Sequence, residues 1–324
     1  MSRDRGPGPL LVAVWPGMGQ VALTAGYYLM SKLHMHETDP LPAQDLFDVD
    51  QVDVNDGIVR TARLPRTRVF LWKDPAKRRD VVVLIGEAQP PAGKLAFCGR
   101  LLDYAERLGV REVYTFAAMA DDVPLRAPAR VLGVATSLEE REKLQRTGVD
   151  LMPSGRITGL NGVLLGAVSQ RGLQGIGLLG EMPALMTPIP FAKASCAVLQ
   201  VFSQLTGIPI ELQELEDYGR AVEEELAQAM ETLQKAVQEQ QQAEAPTEEA
   251  ASPEPEADPS PEPAAPDLSD ENRRRIEALF AQAHRKRSTA FELKRELDRL
   301  GAFQRYEDRF LDLFRIPHEP EDGA

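Results

Sequence analysis

Val81-Val-Val-Leu-Ile-Gly-Glu-Ala-Gln-Pro90 and Ile176-Gly-Leu-Leu-Gly-Glu-Met-Pro183 run apolar residues into a Gly-Glu pair and then a proline. The first run is continuous and β-branched, the pattern of a strand buried on both faces of a parallel sheet. Glycine is expected to let the backbone turn where each strand ends, and proline to stop the ladder. Glu87 and Glu181 would then sit just past the carboxyl ends of two strands, where open α/β sheets place their ligand crevices.

Working outward, strands alternate with amphipathic helices from Leu10 to about Gly207. Leu10–Trp15, Val81–Ile85, Glu112–Ala117 and Gly175–Leu179 read as strands. Gly19–Leu33, Gly99–Leu108, Ser137–Thr147, Gly159–Gln170 and Phe191–Leu205 read as helices, with Gly109, Gly148 and Gly207 as stops. Such alternation predicts an α/β fold, a mainly parallel sheet with helices on both faces. Between these elements, Asp50–Arg63 and Thr67–Trp72 are less regular, and Val52, Val54, Ile58 and Val59 fit an antiparallel insert turning at Asn55-Asp56-Gly57.

The remainder is of another kind. Leu212, Leu215, Tyr218, Val222, Leu226, Met230, Leu233 and Val237 predict a long helix over 210–241, which docks on the α/β domain or pairs with a copy of itself as a coiled coil. Residues 242–267 are almost wholly Pro, Glu, Ala, Ser and Asp, the composition of a disordered acidic linker. Residues 268–316 predict a small all-α tail: a helix capped by Ser269, a second opened by a Thr289–Glu292 capping box and stopped by Gly301, and a third through Phe303, Tyr306, Phe310 and Phe314. The tail reads as a tethered hairpin for a partner or a small independent module. Residues 1–9 and 317–324 are expected to be disordered.

The 324 residues suffice for a full hydrophobic core, and the net charge of −13 argues against a nucleic-acid binder. No run of about eighteen apolar residues could span a bilayer, and residues 1–9 do not form a signal peptide. Two distant cysteines, Cys98 and Cys196, read as buried thiols of a reducing compartment, so a cytoplasmic protein is expected.

Candidate chemistry is sparse. Pro16-Gly-Met-Gly-Gln-Val-Ala22 matches G-x-G-x-x-A in form, with Glu37 or Asp39 forced into the ribose-binding role, but a tight strand-to-helix turn fits better than a nucleotide site. Glu87 and Glu181 form an acid/base pair if they meet, or anchor a cationic group; the residues favour each capping a helix. Arg156, ahead of Gly159, could hold an anion, while Gly162 and Gly166 could simply let helices approach. Asp121-Asp122 and the His34-x-His36 pair lack further ligands. No metal, no cofactor and no catalytic residue is predicted. A ligand site at the strand ends would be lined by Gly17, Gly19, Glu87, Gln89, Arg156, Asn161 and Glu181.

The order of the motifs carries a resemblance: Gly17-Met-Gly-Gln20, Gly86-Glu-Ala-Gln-Pro90, Ile157-Thr-Gly-Leu-Asn-Gly162 with Leu164-Leu-Gly166, Leu178-Leu-Gly-Glu-Met-Pro183 and Pro190-Phe-Ala-Lys-Ala194. Over roughly Leu10 to Leu233 the chain resembles the proteasome assembly chaperone 2 family in its archaeal and bacterial branch. The resemblance implies a phosphorylase/hydrolase-like fold, usually homo-oligomeric, without established catalysis. It further implies a protein partner, the proteasome or another oligomeric assembly. Some relatives carry an ATP-grasp label, which no phosphate-binding lysine loop supports here. Proteasome-binding relatives can end in a hydrophobic-tyrosine-any-residue motif, whereas this chain ends Pro317-His-Glu-Pro-Glu-Asp-Gly-Ala324. That ending, the acidic spacer and the tail point to another client. The expectation is a non-catalytic, assembly chaperone-like interaction protein; the alternative is a small-molecule-binding or hydrolase/phosphorylase-like enzyme.

Overall fold

The computed structural model describes residues 8–48, 52–55, 57–61, 63–243 and 268–315. In chain order the elements are β1 (Leu10–Val14), α1 (Val21–Lys32), β2 (His36–Glu37), β3 (Val52–Asn55), β4 (Ile58–Thr61), β5 (Thr67–Trp72) and β6 (Val81–Gly86). Then follow α2 (Lys94–Arg107), β7 (Glu112–Asp121), β8 (Val131–Ala135), α3 (Leu138–Arg146), β9 (Asp150–Leu151), α4 (Gly159–Gln170) and β10 (Gln174–Pro183). Helices α5 (Ala192–Thr206), α6 (Gln213–Ala243), α7 (Asp270–Arg285), α8 (Ala290–Arg299) and α9 (Phe303–Asp312) complete the described residues.

Eight strands form one sheet in the order β2-β5-β6-β1-β7-β10-β8-β9. The four central strands β6, β1, β7 and β10 are parallel. The flanks are not: β5 runs against β6, β2 against β5 and β8 against β10. The sheet is therefore mixed, and the expectation of a mainly parallel sheet describes its centre only. Strands β8 and β9 have no counterpart in the sequence reading. Gly133 sits at the centre of β8, where the methyls of Leu144 lie within 3 Å of where its Cβ would be.

Side chains alternate across the sheet, as strand geometry requires. Leu10, Val12 and Val14 join a cluster with α1, α5, α6 and the tail, while Leu11, Ala13 and Trp15 join one with α2 and α4. The β3–β4 hairpin forms as predicted, as a separate two-stranded sheet with Val54 and Val59 exposed. The first half of α6 docks on the core: Leu215 is fully buried, Tyr28 Oη donates to the Glu211 carbonyl at 2.8 Å, and Lys32 pairs with Glu214 at 2.6 Å. The acidic linker and both chain ends fall on residues outside those described, apart from the few at their edges.

The tail departs from expectation most. Helices α7–α9 do not stand away from the core; they pack on α1 and β5. Tyr27 meets Phe303 and Phe310, Tyr28 meets Phe291, and Phe70 meets Phe314, with ring centroids 4.6–6.3 Å apart. The Glu37 amide donates to the Phe314 carbonyl at 2.8 Å. Ser269 caps α7 by accepting from the Asn272 amide, as predicted. The Thr289–Glu292 capping box does not form, because the Thr289 hydroxyl donates instead to the Lys286 carbonyl at 2.8 Å.

Candidate functional site: the rim of the sheet

The chain reverses direction around β1: it leaves to reach β6 on one side and returns to β7 on the other. The carboxyl end of β1 is therefore the topological switch point, where α/β sheets open a crevice. Here that crevice is filled by the protein itself. The Trp15 indole lies 2.3 Å from where a Cβ on Gly86 would stand, so Gly86 provides space rather than a turn. Gly180 does the same for the backbone of α5, whose Ala194 carbonyl is 2.9 Å from its would-be Cβ. Neither glycine has positive φ, so the turn role expected of the Gly-Glu pairs is not what places them.

The Gly17-Met-Gly19 turn interlocks with the connection from β10 to α5. Gly19 adopts φ of 57°, and Met182 leaves no room for a side chain there. Its amide donates to the Thr187 carbonyl at 2.7 Å, and its carbonyl accepts from the Phe191 amide at 2.8 Å. The N–H group that a bound pyrophosphate would need is thus already engaged. Gly17 is extended and exposed. Glu37 pairs with Arg68 and Arg315, which takes it away from the ribose-binding role.

Gln89 closes the other side. Its side chain donates to the Pro16 carbonyl at 3.4 Å and accepts from the Leu160 amide at 3.0 Å, so it serves the N-terminus of α4 as a cap supplied from a distant loop. Asn161 follows on α4, and its Oδ1 is buried without a hydrogen-bond partner. Gly162 lets the helix start sit against the Ile157 carbonyl, whereas Gly166 faces open space. Arg156 is exposed and makes no ion pair among the described residues.

The two glutamates do not meet. Strands β1 and β7 lie between β6 and β10, a lateral separation of about 14 Å from the usual strand spacing. Glu87 accepts from the Arg66 amide at 2.8 Å and pairs with Arg63 at 3.0 Å. Glu181 is buried in a two-point pair with Arg130, at 3.0 and 2.6 Å. Each carboxylate holds a loop to a strand end through arginine, rather than capping a helix. No group of three or more potential metal ligands occurs among the described residues. Burial pushes the Cys98 and Cys196 thiols up to about 12, so neither is a thiolate nucleophile near neutrality.

What the rim displays is apolar. Met18, Leu185 and Ile189 are 45%, 78% and 37% exposed, and all three ride on the interlocked turns. The turns are legible in the sequence through their glycines, but these three residues are not. Their signal is large apolar side chains set among the glycines and prolines of two turn segments, Pro16-Gly-Met-Gly-Gln20 and Pro183-Ala-Leu-Met-Thr-Pro-Ile-Pro190.

These turns and strands lie within the part of the chain shared with known proteins. The pattern of the PAC2 family matches residues 11–230. The chain belongs to the PAC2 family. It is similar to the crystal structure of Pyrococcus furiosus PbaB, described as an archaeal proteasome activator: 27% identity, 71% of this chain and 96% of that one, TM-score 0.59. A PAC2 family protein from Streptomyces avermitilis aligns at 26% identity over 68% of this chain and 95% of its own, TM-score 0.59. An uncharacterised protein of Methanocaldococcus jannaschii is 28% identical over 238 residues, 71% of this chain and 87% of its own. The resemblance to proteasome assembly chaperones read from the motifs is thereby supported. Helices α7–α9 lie beyond the family match.

Proposed function

We propose that this PAC2 family chain is a non-catalytic interaction protein that assists another protein's assembly, with the rim of Met18, Leu185 and Ile189 as its client surface. The observation that carries this reading is the self-filled switch-point crevice beside an exposed apolar rim. Exposed apolar side chains grouped on a rigid base are what a protein-binding surface needs. The likeness to an archaeal proteasome activator makes a proteasome or another oligomeric assembly the kind of client to test. We read the fold as phosphorylase/hydrolase-like, the working form as a homo-oligomer and the compartment as the cytoplasm; no helix among the described residues is long and apolar enough to cross a membrane. Replacing Leu185 and Met18 together by Asp leaves the fold intact, because both are exposed, and removes the client from an affinity purification of the full chain. Recovery of the same partner in the same yield would overturn the reading.

A second reading keeps a small ligand at the strand ends, near Gly17, Gly19, Gln89 and Asn161, with Arg156 as an anion partner. The buried, unpartnered Oδ1 of Asn161 favours it. Glu87 and Glu181 are committed to arginines and would contribute only by leaving them. A metabolite thermal-shift screen tests it: a hit lost in Asn161→Ala supports the ligand, and no stabilising compound counts against it.

A further inference from the structure

The tail covers a surface built to receive it, and the chemistry of that surface is particular. Core residues Arg63, Arg66 and Arg68 form a row leading into and along β5, and α9 sets Asp308 and Asp312 against it. Arg66 and Asp308 are directly paired, Arg68 pairs with Asp312 at 2.8 Å, and Arg63 reaches Asp308 at 3.3 Å. Beside this row lie Tyr27, Tyr28 and Phe70, all fully buried, which receive Phe303, Phe310, Phe291 and Phe314.

Several features of this seam set it apart from a permanent core. Lys294 and Arg68 are almost wholly buried, and Arg68 Nη1 and Arg66 Nε lack hydrogen-bond partners. Glu307 is drawn into the seam against Tyr27 Oη, at 2.5 Å. Desolvated charges and orphaned N–H groups offset part of what apolar burial contributes, so the seam is weaker than its aromatic content suggests. Asp308 and Asp312 remain 49% and 44% exposed, which leaves their pairs open to salt. The tail is joined to α6 through residues 244–267, which hold eight carboxylates and neither Lys nor Arg.

We propose that the α1–β5 face is a docking site for an acidic, phenylalanine-bearing amphipathic helix of a partner protein, held closed in cis by α7–α9. The partner helix carries the chemistry of 303–314: Phe at intervals of seven and four residues, with carboxylates between them to meet Arg63, Arg66 and Arg68. Tethering gives the tail an effective concentration on the order of millimolar, so a free helix of equal intrinsic affinity competes poorly until the tail is displaced. The α1–β5 face is distinct from the rim, although Ile189 borders the cleft between α6 and helices α7 and α8.

The test uses the full chain with a protease recognition sequence inserted between residues 250 and 260, and a fluorescent synthetic peptide of residues 268–315. After cleavage the tail becomes exchangeable. The peptide is expected to bind the cleaved chain on the order of 100-fold more tightly than the uncut chain, with affinity falling as salt rises. A peptide carrying Asp308→Arg should bind the cleaved chain more weakly, and should regain affinity on a cleaved chain carrying Arg63→Asp, since Arg63 and Asp308 are both about half exposed. A cleaved tail that stays in place through excess peptide and high salt would overturn the proposal. So would a cleaved core that unfolds when the tail leaves, since the tail would then be an integral part of the fold.

Discussion

At the scale of single residues, the positions that signal the fold are those where space is short. A methyl group on Gly86 would meet the Trp15 indole at 2.3 Å, and Trp15 is itself fully buried against Phe97. Gly86→Ala should therefore destabilise the protein by about 1–3 kcal/mol, the usual cost of overpacking. Urea unfolding checks this, and a change near zero would mean that Trp15 can move aside. Glu307 allows a pH prediction. Burial pushes its carboxyl above the ordinary value, with the nearby Glu87 and Asp308 charges adding to the rise; the Tyr27 hydroxyl and Lys294 oppose it. The folded chain thus holds this proton more tightly than the unfolded chain. The resulting stability is present below the unfolded pKa and lost as pH rises through the folded one. Glu307→Gln, which keeps an acceptor for Tyr27 without the charge, should stabilise the chain at pH 7 by about 1 kcal/mol. The gain should shrink as the pH is lowered through the Glu307 titration. Glu112 behaves oppositely: burial pushes it up, but hydrogen bonds from Lys143 and Tyr114 and the Arg79 charge outweigh this and hold it low. Its contribution is present above the unfolded pKa and is lost as pH falls through the depressed value.

At the scale of elements, periodicity located the helices and central strands well, because it reports which face of a segment is buried. Helix α5 and the Val81–Gly86 strand stand within a residue or two of where the pattern put them. Helix α2 begins at Lys94 rather than Gly99, since the left-handed Gly93 starts it and Leu95 and Ala96, ahead of the buried Phe97, are exposed. Strands β8 and β9 stayed hidden because β9 has only two residues and glycine stands at the centre of β8's apolar run, Val131-Leu-Gly-Val-Ala135. Caps were less legible, for they depend on a single rotamer. Ser269→Ala should cost about 1 kcal/mol, as loss of an N-cap usually does. Thr289→Ala should cost less than about 0.5 kcal/mol, because its hydroxyl bonds a turn carbonyl and caps nothing. Thermal unfolding of the two variants side by side distinguishes these roles.

At the scale of the whole molecule, the buried Arg68 joins edge strand, core and tail. It donates to Glu37 at 2.6 and 2.9 Å and to Asp312 at 2.8 Å. Arg68→Ala removes the Asp312 pair and leaves the buried Glu37 carboxylate only its pair with Arg315, and should destabilise the tail's docking by up to about 3 kcal/mol. Hydrogen exchange should then quicken over 268–315 before it does in β1 and β7; uniform exchange would place the whole effect in the core. The candidate site was only partly legible. Gly19, Gln89 and Asn161 do gather at the switch point, but Arg156 stands free in solvent and Glu87 and Glu181 lie strands apart.

By itself the sequence determined the α/β core, the run of motifs that places the chain in its family, and the existence of three amphipathic tail helices. These are local properties: an apolar face repeats every two or every 3.6 residues whatever covers it. Only the tertiary structure decided what covers each face. It set the strand order that separates the two Gly-Glu glutamates, filled the crevice with Trp15 and Gln89, and laid the tail on α1 and β5. Those outcomes depend on pairings between residues 71 to 244 positions apart, such as Gln89 with Leu160 and Arg68 with Asp312, and no short window of sequence contains both partners.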